Sequence, residues 1–188
     1  MKHINKLKNR FAAFTLIELL VVISIIAVLA SLALPAITGA LVKGQIAQTT
    51  SNYRQVYILT QSASLDNQQA GGAGCFPGDS TANNGTNFAT NLIPAYISST
   101  AFNSLVTVKG QKTNTLVWNA TPATNDSGAI FLSVAGISGT TPAYSGTGPY
   151  GTKGGAFVTV GGSAVSFVGT NSPALTNGVT NVTTSTSF

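Results

Sequence analysis

Few residues in this chain could do covalent or acid–base chemistry. It has one histidine, His3, and one cysteine, Cys75, in 188 residues. A Ser-His-Asp or Cys-His relay needs an imidazole beside its nucleophile, and His3 stands among the basic residues of the N-terminus, in the segment read below as a leader outside the fold. One cysteine forms neither an intrachain disulfide nor a thiolate cluster for zinc. Two readings of Cys75 stand: a half-buried small residue in a loop, or an outward-facing thiol that cross-links two chains. The only acids are Glu18, Asp66, Asp79 and Asp126. The three aspartates are widely spaced and match no calcium loop. No catalytic constellation, metal site or cofactor is expected. That leaves Glu18, whose surroundings are unlike those of the other acids.

Glu18 is the one charge in the run Phe14–Ile37, FTLIELLVVISIIAVLASLALPAI. As a helix this run extends roughly 36 Å, enough to cross a hydrocarbon core of roughly 30 Å. Lys2, Lys6, Lys8 and Arg10 precede it without an acid among them. Such a basic flank stays cytoplasmic, which places the C-terminal part outside. A carboxylate inside an apolar span is costly, and such residues are usually paired and functional. Being near the start of the run, Glu18 could instead extend to the interface and stay hydrated.

The stretch AAFTLIELLVVISIIAVLASLALPAI resembles the N-terminus of type IV prepilins and type II secretion pseudopilins. The shared features are a short basic leader, a Phe that opens the apolar run, a glutamate fifth from that Phe, and a proline in the second half, here Pro35. The resemblance implies that a prepilin peptidase cuts between Ala13 and Phe14 on the cytoplasmic face and then methylates the new amino group of Phe14. It implies that Glu18 pairs with the N-terminal amine of a neighbouring subunit during assembly. It also implies further partners: copies of the chain and minor pilins in a helical filament, and an inner-membrane assembly machinery. The family usually has Gly before the cut, whereas this chain has Ala13, the next smallest side chain. Many type IV pilins also carry a C-terminal Cys pair, which this chain lacks. Several major pseudopilins bind calcium through late acids, and here no charged residue follows Lys153.

A different class of reading is an ordinary exported or membrane-anchored binding protein, its apolar segment left uncleaved or cut by signal peptidase within Ala30–Ala36. The run is longer than the 7–15 residues of a signal peptide's apolar region, and a Glu inside it is unhelpful there. Charge adds little. Only 7% of residues are charged and the net charge is +5. Four of the nine basic residues lie before Phe14. Residues 14–188 therefore carry five basic and four acidic residues, so nucleic acid is not an expected partner.

The elements that position these residues read as follows. Residues 1–13 form a leader outside the fold. Residues 14–40 are the membrane and assembly half of a long helix that continues to about Asp66. Beyond Leu41 its apolar residues become one-sided, with Val42, Ile46, Tyr53, Val56, Tyr57 and Ala63 at three- and four-residue steps. Pro35 lacks an amide hydrogen and is expected to kink or loosen the helix. A globular domain, 41–169, contains a breaker-rich loop over 67–85 and a short helix over 87–105 with Pro94 in its first turn. A hairpin is expected from Leu105–Lys109 and Thr115–Trp118, followed by an apolar run at Ala129–Val134 and a loop over 136–155. A second hairpin, Ala156–Val160 with Ala164–Val168, closes around Gly161-Gly162-Ser163 and has one face buried. The tail, 170–188, has 12 Ser, Thr or Asn among 19 residues and reads as a surface segment. The predicted fold class is α+β: a long N-terminal helix packed on an antiparallel sheet, as in pilins.

The small residue at the inferred cut generates the first prediction. Ala13→Gly is expected to be processed at least as fast as the natural chain, and Ala13→Leu to accumulate as uncut precursor in a gel-shift assay with a prepilin peptidase. Normal processing of the Leu variant would place the cut elsewhere.

Overall fold

The computed structural model describes residues 14–77, 79, 85–108, 116–119, 127–138, 143–144, 146, 148–170 and 182–184. Ala13 and the other residues of the expected leader lie outside them, as do Lys109–Thr115 of the expected first hairpin. The chain divides into two compact units between Ala40 and Leu41.

A single helix, α1 (Leu16–Gln69), passes through this division with Pro35 inside it. In the first unit, the large apolar residues from Leu16 to Ile37 are all exposed. In the second unit α1 is one-sided. Ile46, Thr49, Tyr53, Val56, Thr60, Ala63 and Ser64 are buried, stepping by three and four around one face. Three of these are polar, and each has a local reason to be inside. Thr60 donates its hydroxyl to Val56 O, Thr49 Oγ1 shares a 2.5 Å hydrogen bond with Tyr150 Oη, and Ser64 Oγ accepts from Cys75 N at 3.2 Å. Tyr150 Oη also reaches Gln45 O. The Tyr53 hydroxyl is fully buried without a hydrogen-bond partner among the described residues, and burial pushes its pKa well up.

Two short helices follow, α2 (Gly85–Leu92) and α3 (Ser99–Val106). The sequence suggested one helix containing Pro94. The chain instead breaks there, because proline cannot continue the hydrogen-bond ladder of the preceding turn. Ser98 caps α3 by accepting from Ala101 N, and Phe102 and Val106 turn inward at i, i+4 spacing. Leu105 and Val106 therefore end a helix and do not start a strand, so the expected hairpin with Thr115–Trp118 is corrected. A short apolar run has no period long enough to separate the two states; the cap upstream decided it.

The sheet has five strands in the order β6-β5-β2-β1-β7, all neighbours antiparallel: β1 (Leu116–Asn119), β2 (Ile130–Val134), β5 (Gly154–Thr159), β6 (Ala164–Val168) and β7 (Val182–Thr184). A separate two-stranded ribbon, β3 (Ile137–Ser138) with β4 (Ala143–Tyr144), occupies part of the expected 136–155 loop. The second hairpin forms as read, with Phe157 opposite Val165. Its turn depends on glycine: Gly162 has φ +81°, and a Cβ there would stand 2.6 Å from the Tyr57 ring on α1. All six residues of β5 are buried, so its expected single buried face is corrected to two. The ring of Phe167, edge-on to Tyr144 of the small ribbon, lies beside Phe157. The polar tail is not all outside the fold, since β7 extends the sheet beyond β1.

The helical layer meets the sheet at Phe131. Its ring makes edge-to-face contacts with Tyr57 of α1, Phe76 of the loop after α1, and Phe88 of α2, at centroid distances of 6.2, 5.1 and 5.7 Å. This α+β arrangement of a long helix on an antiparallel sheet is pilin-like, as the resemblance implies.

A fragment beginning at Leu41 keeps the buried face of α1 and its sheet, and is expected to unfold cooperatively in urea. Phe131→Ala in that fragment removes the ring that three elements share, and should lower stability by about 3–5 kcal/mol. A loss below about 1 kcal/mol would show that the ring cluster does not join the layers.

Candidate functional site

The site begins at the first turn of α1. Leu19 N donates to Thr15 O, which makes Thr15 the cap residue of the helix. Its side chain accepts from Glu18 N at 3.3 Å. In return Glu18 Oε2 accepts from both Thr15 N and Thr15 Oγ1, each at 2.8 Å. This is a reciprocal capping box, formed by the T-x-x-E spacing of Thr15-Leu16-Ile17-Glu18. The sequence reading passed over Thr15, although that spacing is visible in the chain.

Three consequences follow for Glu18. Its carboxylate is folded back towards the start of the helix rather than extended across the apolar surface. The helix N-terminus, with its unpaired amides, favours a negative charge at that place. Both Thr15 donors use the same oxygen, and among the described residues Oε1 has no hydrogen-bond partner. Glu18 shares an open groove with Phe14, Ile17, Val21 and Val22, residues that recur at three and four positions along one face. The site is thus one carboxylate set in an apolar stripe, with one oxygen held and one oxygen offered. Phe14, the residue at the inferred cut, is exposed at the edge of the same groove.

Pro35 lies farther along α1, and the helix is continuous through it. Thr38 donates its hydroxyl to Pro35 O at 3.0 Å. Ser24 and Ser31 likewise bond back to the carbonyls of Leu20 and Val28. These hydroxyls are satisfied within the helix, as an apolar surrounding requires. By length and composition α1 is able to cross a membrane.

Among the described residues the other chemistry-bearing side chains belong to the second unit, where Cys75 and Asp79 share one loop. Cys75 is buried, with its Sγ accepting from Asn67 Nδ2 at 3.0 Å. Burial pushes its thiol pKa up. The outward cross-linking reading of Cys75 is therefore corrected, because the loop folds back on α1 and Ser64 takes up the Cys75 amide. Asp79 accepts from Phe76 N and closes the same loop. Asp66 accepts from Tyr96 Oη at 2.7 Å, and this bond raises the Tyr96 pKa. Asp126 lies outside the described residues. Among the described residues no three of His, Cys, Asp and Glu gather as metal ligands would.

Residues 8–34 match the pattern described as the prokaryotic N-terminal methylation motif. The match includes the capping box, the groove and most of the apolar run. The chain is also similar to the type IV major fimbrial protein FimA of Dichelobacter nodosus, with 32% identity over 77 residues. That alignment covers 41% of this chain and 48% of the relative, about half its length. No solved structure matches the chain.

Burial of Cys75 makes its reactivity a reporter of the fold. In the folded protein a thiol-specific reagent is expected to label Cys75 at least about a hundredfold more slowly than in urea, because both access and thiolate fraction are reduced. A neutral thiol is favoured in the folded state, so this contribution to stability is present at neutral pH and is lost as pH rises through the raised thiol pKa. Rapid labelling without denaturant would contradict the buried placement.

Proposed function

We propose that this chain is a structural subunit of a type IV pilus or pseudopilus, and not an enzyme. The observation that carries the reading is the first half of α1. Its large apolar side chains are exposed in the single chain, and one carboxylate interrupts their stripe. Apolar surface of that extent is stable only in lipid or against other helices. A subunit that first spans the inner membrane and then packs helix on helix in a filament satisfies it in both states. The similarity to a fimbrial protein favours the pilus over the secretion pseudopilus.

In this reading residues 1–13 are a leader removed by a prepilin peptidase between Ala13 and Phe14, and the new amine of Phe14 is methylated. Residues 14–40 hold the subunit in the membrane and later form the filament core. Residues 41–169 make a globular domain outside the cytoplasm, with 170–188 as its C-terminal segment. The partners are the peptidase, the assembly machinery of the inner membrane, further copies of the chain and minor pilins. Pro35 loosens α1 where subunits pack.

The charge on Glu18 gives the assembly step its specificity. A Phe14 amine entering an apolar bundle carries a positive charge, and Glu18 is the only acid between Phe14 and Leu65 able to meet it. Removing one partner of a buried pair leaves the other charge uncompensated. Glu18→Leu makes the span more apolar, so insertion and cleavage should persist. The ratio of sheared filament to membrane-retained protein should fall by about a hundredfold. Filaments at natural levels from Glu18→Leu would remove Glu18 from the assembly contact.

A further inference from the structure

We infer that Lys43 and Lys153 form a paired contact for the phosphates of anionic lipid headgroups, at the end of the second unit where α1 enters it. This rests on the reading of residues 14–40 as the membrane segment. It adds a partner for the globular domain while the subunit is still held in the membrane.

The two lysines are far apart in sequence, and the fold sets them at one end. Tyr150 Oη bonds Thr49 Oγ1 and Gln45 O, which fastens the 3-10 turn Gly151–Lys153 beside the first turns of α1 in this unit. Lys153 N donates to Tyr150 O at 3.2 Å and Gly169 N donates to Lys153 O at 3.0 Å, so the Lys153 backbone is held on both sides. From Lys153, β5 runs to the turn at Gly162, which abuts Tyr57 farther along α1. The Lys153 end of β5 is therefore the end near Lys43. Both lysines are exposed, and among the described residues neither has an acid partner. The third cation described in this unit, Arg54, lies about three turns beyond Lys43. The described acids are at the other end. Asp66 stands in the last turn of α1, about 35 Å from Lys43 at the helical rise, and Asp79 closes the loop that Ser64 holds there. Lys43 comes six residues after Ile37, where the apolar run ends. Six helical residues rise about 9 Å, close to the roughly 5–8 Å of one headgroup layer. A lysine stem spans the difference while its ammonium stays among polar groups. Headgroup phosphates are the anions found at that depth, and each lysine near an anionic surface favours contact about fivefold. A neighbour's acids are the competing partner, but Asp66 already accepts from Tyr96 and Asp79 from Phe76 N. Headgroups are present before any neighbour arrives.

The test uses the full-length chain reconstituted into vesicles of phosphatidylcholine, alone or with about one-third phosphatidylglycerol as the anionic lipid. Acetylation by acetic anhydride, a neutral reagent, is followed residue by residue by mass spectrometry. The rates at Lys43 and Lys153 are divided by those at Lys109 and Lys112 in the same molecules, which cancels differences in orientation across the vesicle wall. Phosphatidylglycerol is expected to lower both ratios at least about threefold, and about 0.5 M salt to restore them, because screening shortens the reach of surface charge. Lys153→Gln changes only an exposed side chain, and should raise the ratio at Lys43 because half of the contact is gone. An unchanged Lys43 ratio in that variant would separate the two lysines and overturn the pairing. Equal ratios in the two lipids would overturn the inference outright. So would equal protection by inorganic phosphate added to phosphatidylcholine vesicles, which marks a free-anion site. Protection that grows with the protein-to-lipid ratio in either lipid would assign the lysines to a second copy and overturn it too. Alkaline carbonate washing tests the underlying reading separately: a chain that carbonate strips from the vesicles does not span them, and residues 14–40 are then not a membrane segment.

Discussion

The apolar surface of the first half of α1 has no cover within its own unit, and this unmet need for burial governs the rest of the molecule. Water is a poor solvent for such a surface, so the chain must supply either a membrane or a partner wherever the segment goes. Helical backbone is the one local structure that satisfies its own amides in lipid. The hydroxyls of Ser24, Ser31 and Thr38 are folded onto the backbone for the same reason. The only charge allowed into the stripe is Glu18, and it lies where the helix end supplies amides and Thr15 supplies a hydroxyl.

The second half of α1 solves the burial problem differently. Its apolar stripe is covered by the chain's own sheet and by the loop and helices that follow. Phe131 is where these elements meet, because its ring packs against α1, the following loop and α2 together. The loop gains a second tie where Cys75 and Ser64 join, and α1 is itself tied to the turn after α2 where Asp66 accepts from Tyr96. The loop's Gly-Gly-Ala-Gly stretch begins on backbone bonds to the end of α1, from Gly71 N to Gln68 O and from Gly72 N to Asn67 O. A single helix thus has one half covered by the chain's own elements and another whose apolar surface is uncovered within its unit.

The proposed function rests on this division. A filament subunit needs an apolar element to be reburied, a polar feature to set the register of that reburial, and an exterior that stays soluble. The chain's low charge and its lone glutamate are consistent with those needs. The similarity to a fimbrial protein covers 41% of this chain.

The sequence by itself determined the elements whose signal is local. The apolar run, the one-sided stripe beyond Leu41, and the Gly-Gly-Ser hairpin each depend on residues adjacent along the chain, where periodicity and turn chemistry act directly. The cap at Thr15 was local too, and was legible in the T-x-x-E spacing. Tertiary structure decided what depends on contacts distant in sequence. Leu105 and Val106 became helix because Ser98 began one upstream and Phe102 drew that face inward. All of β5 became buried, although its alternation suggested one wet face, because neighbouring elements cover both sides. The polar tail supplied β7 because β1 offered an open edge, and backbone hydrogen bonding is indifferent to side-chain polarity. Cys75 went inside because Ser64, eleven residues earlier, stood ready to accept its amide. Periodicity records which side of an element is apolar, but burial is decided by what the rest of the chain lays against it.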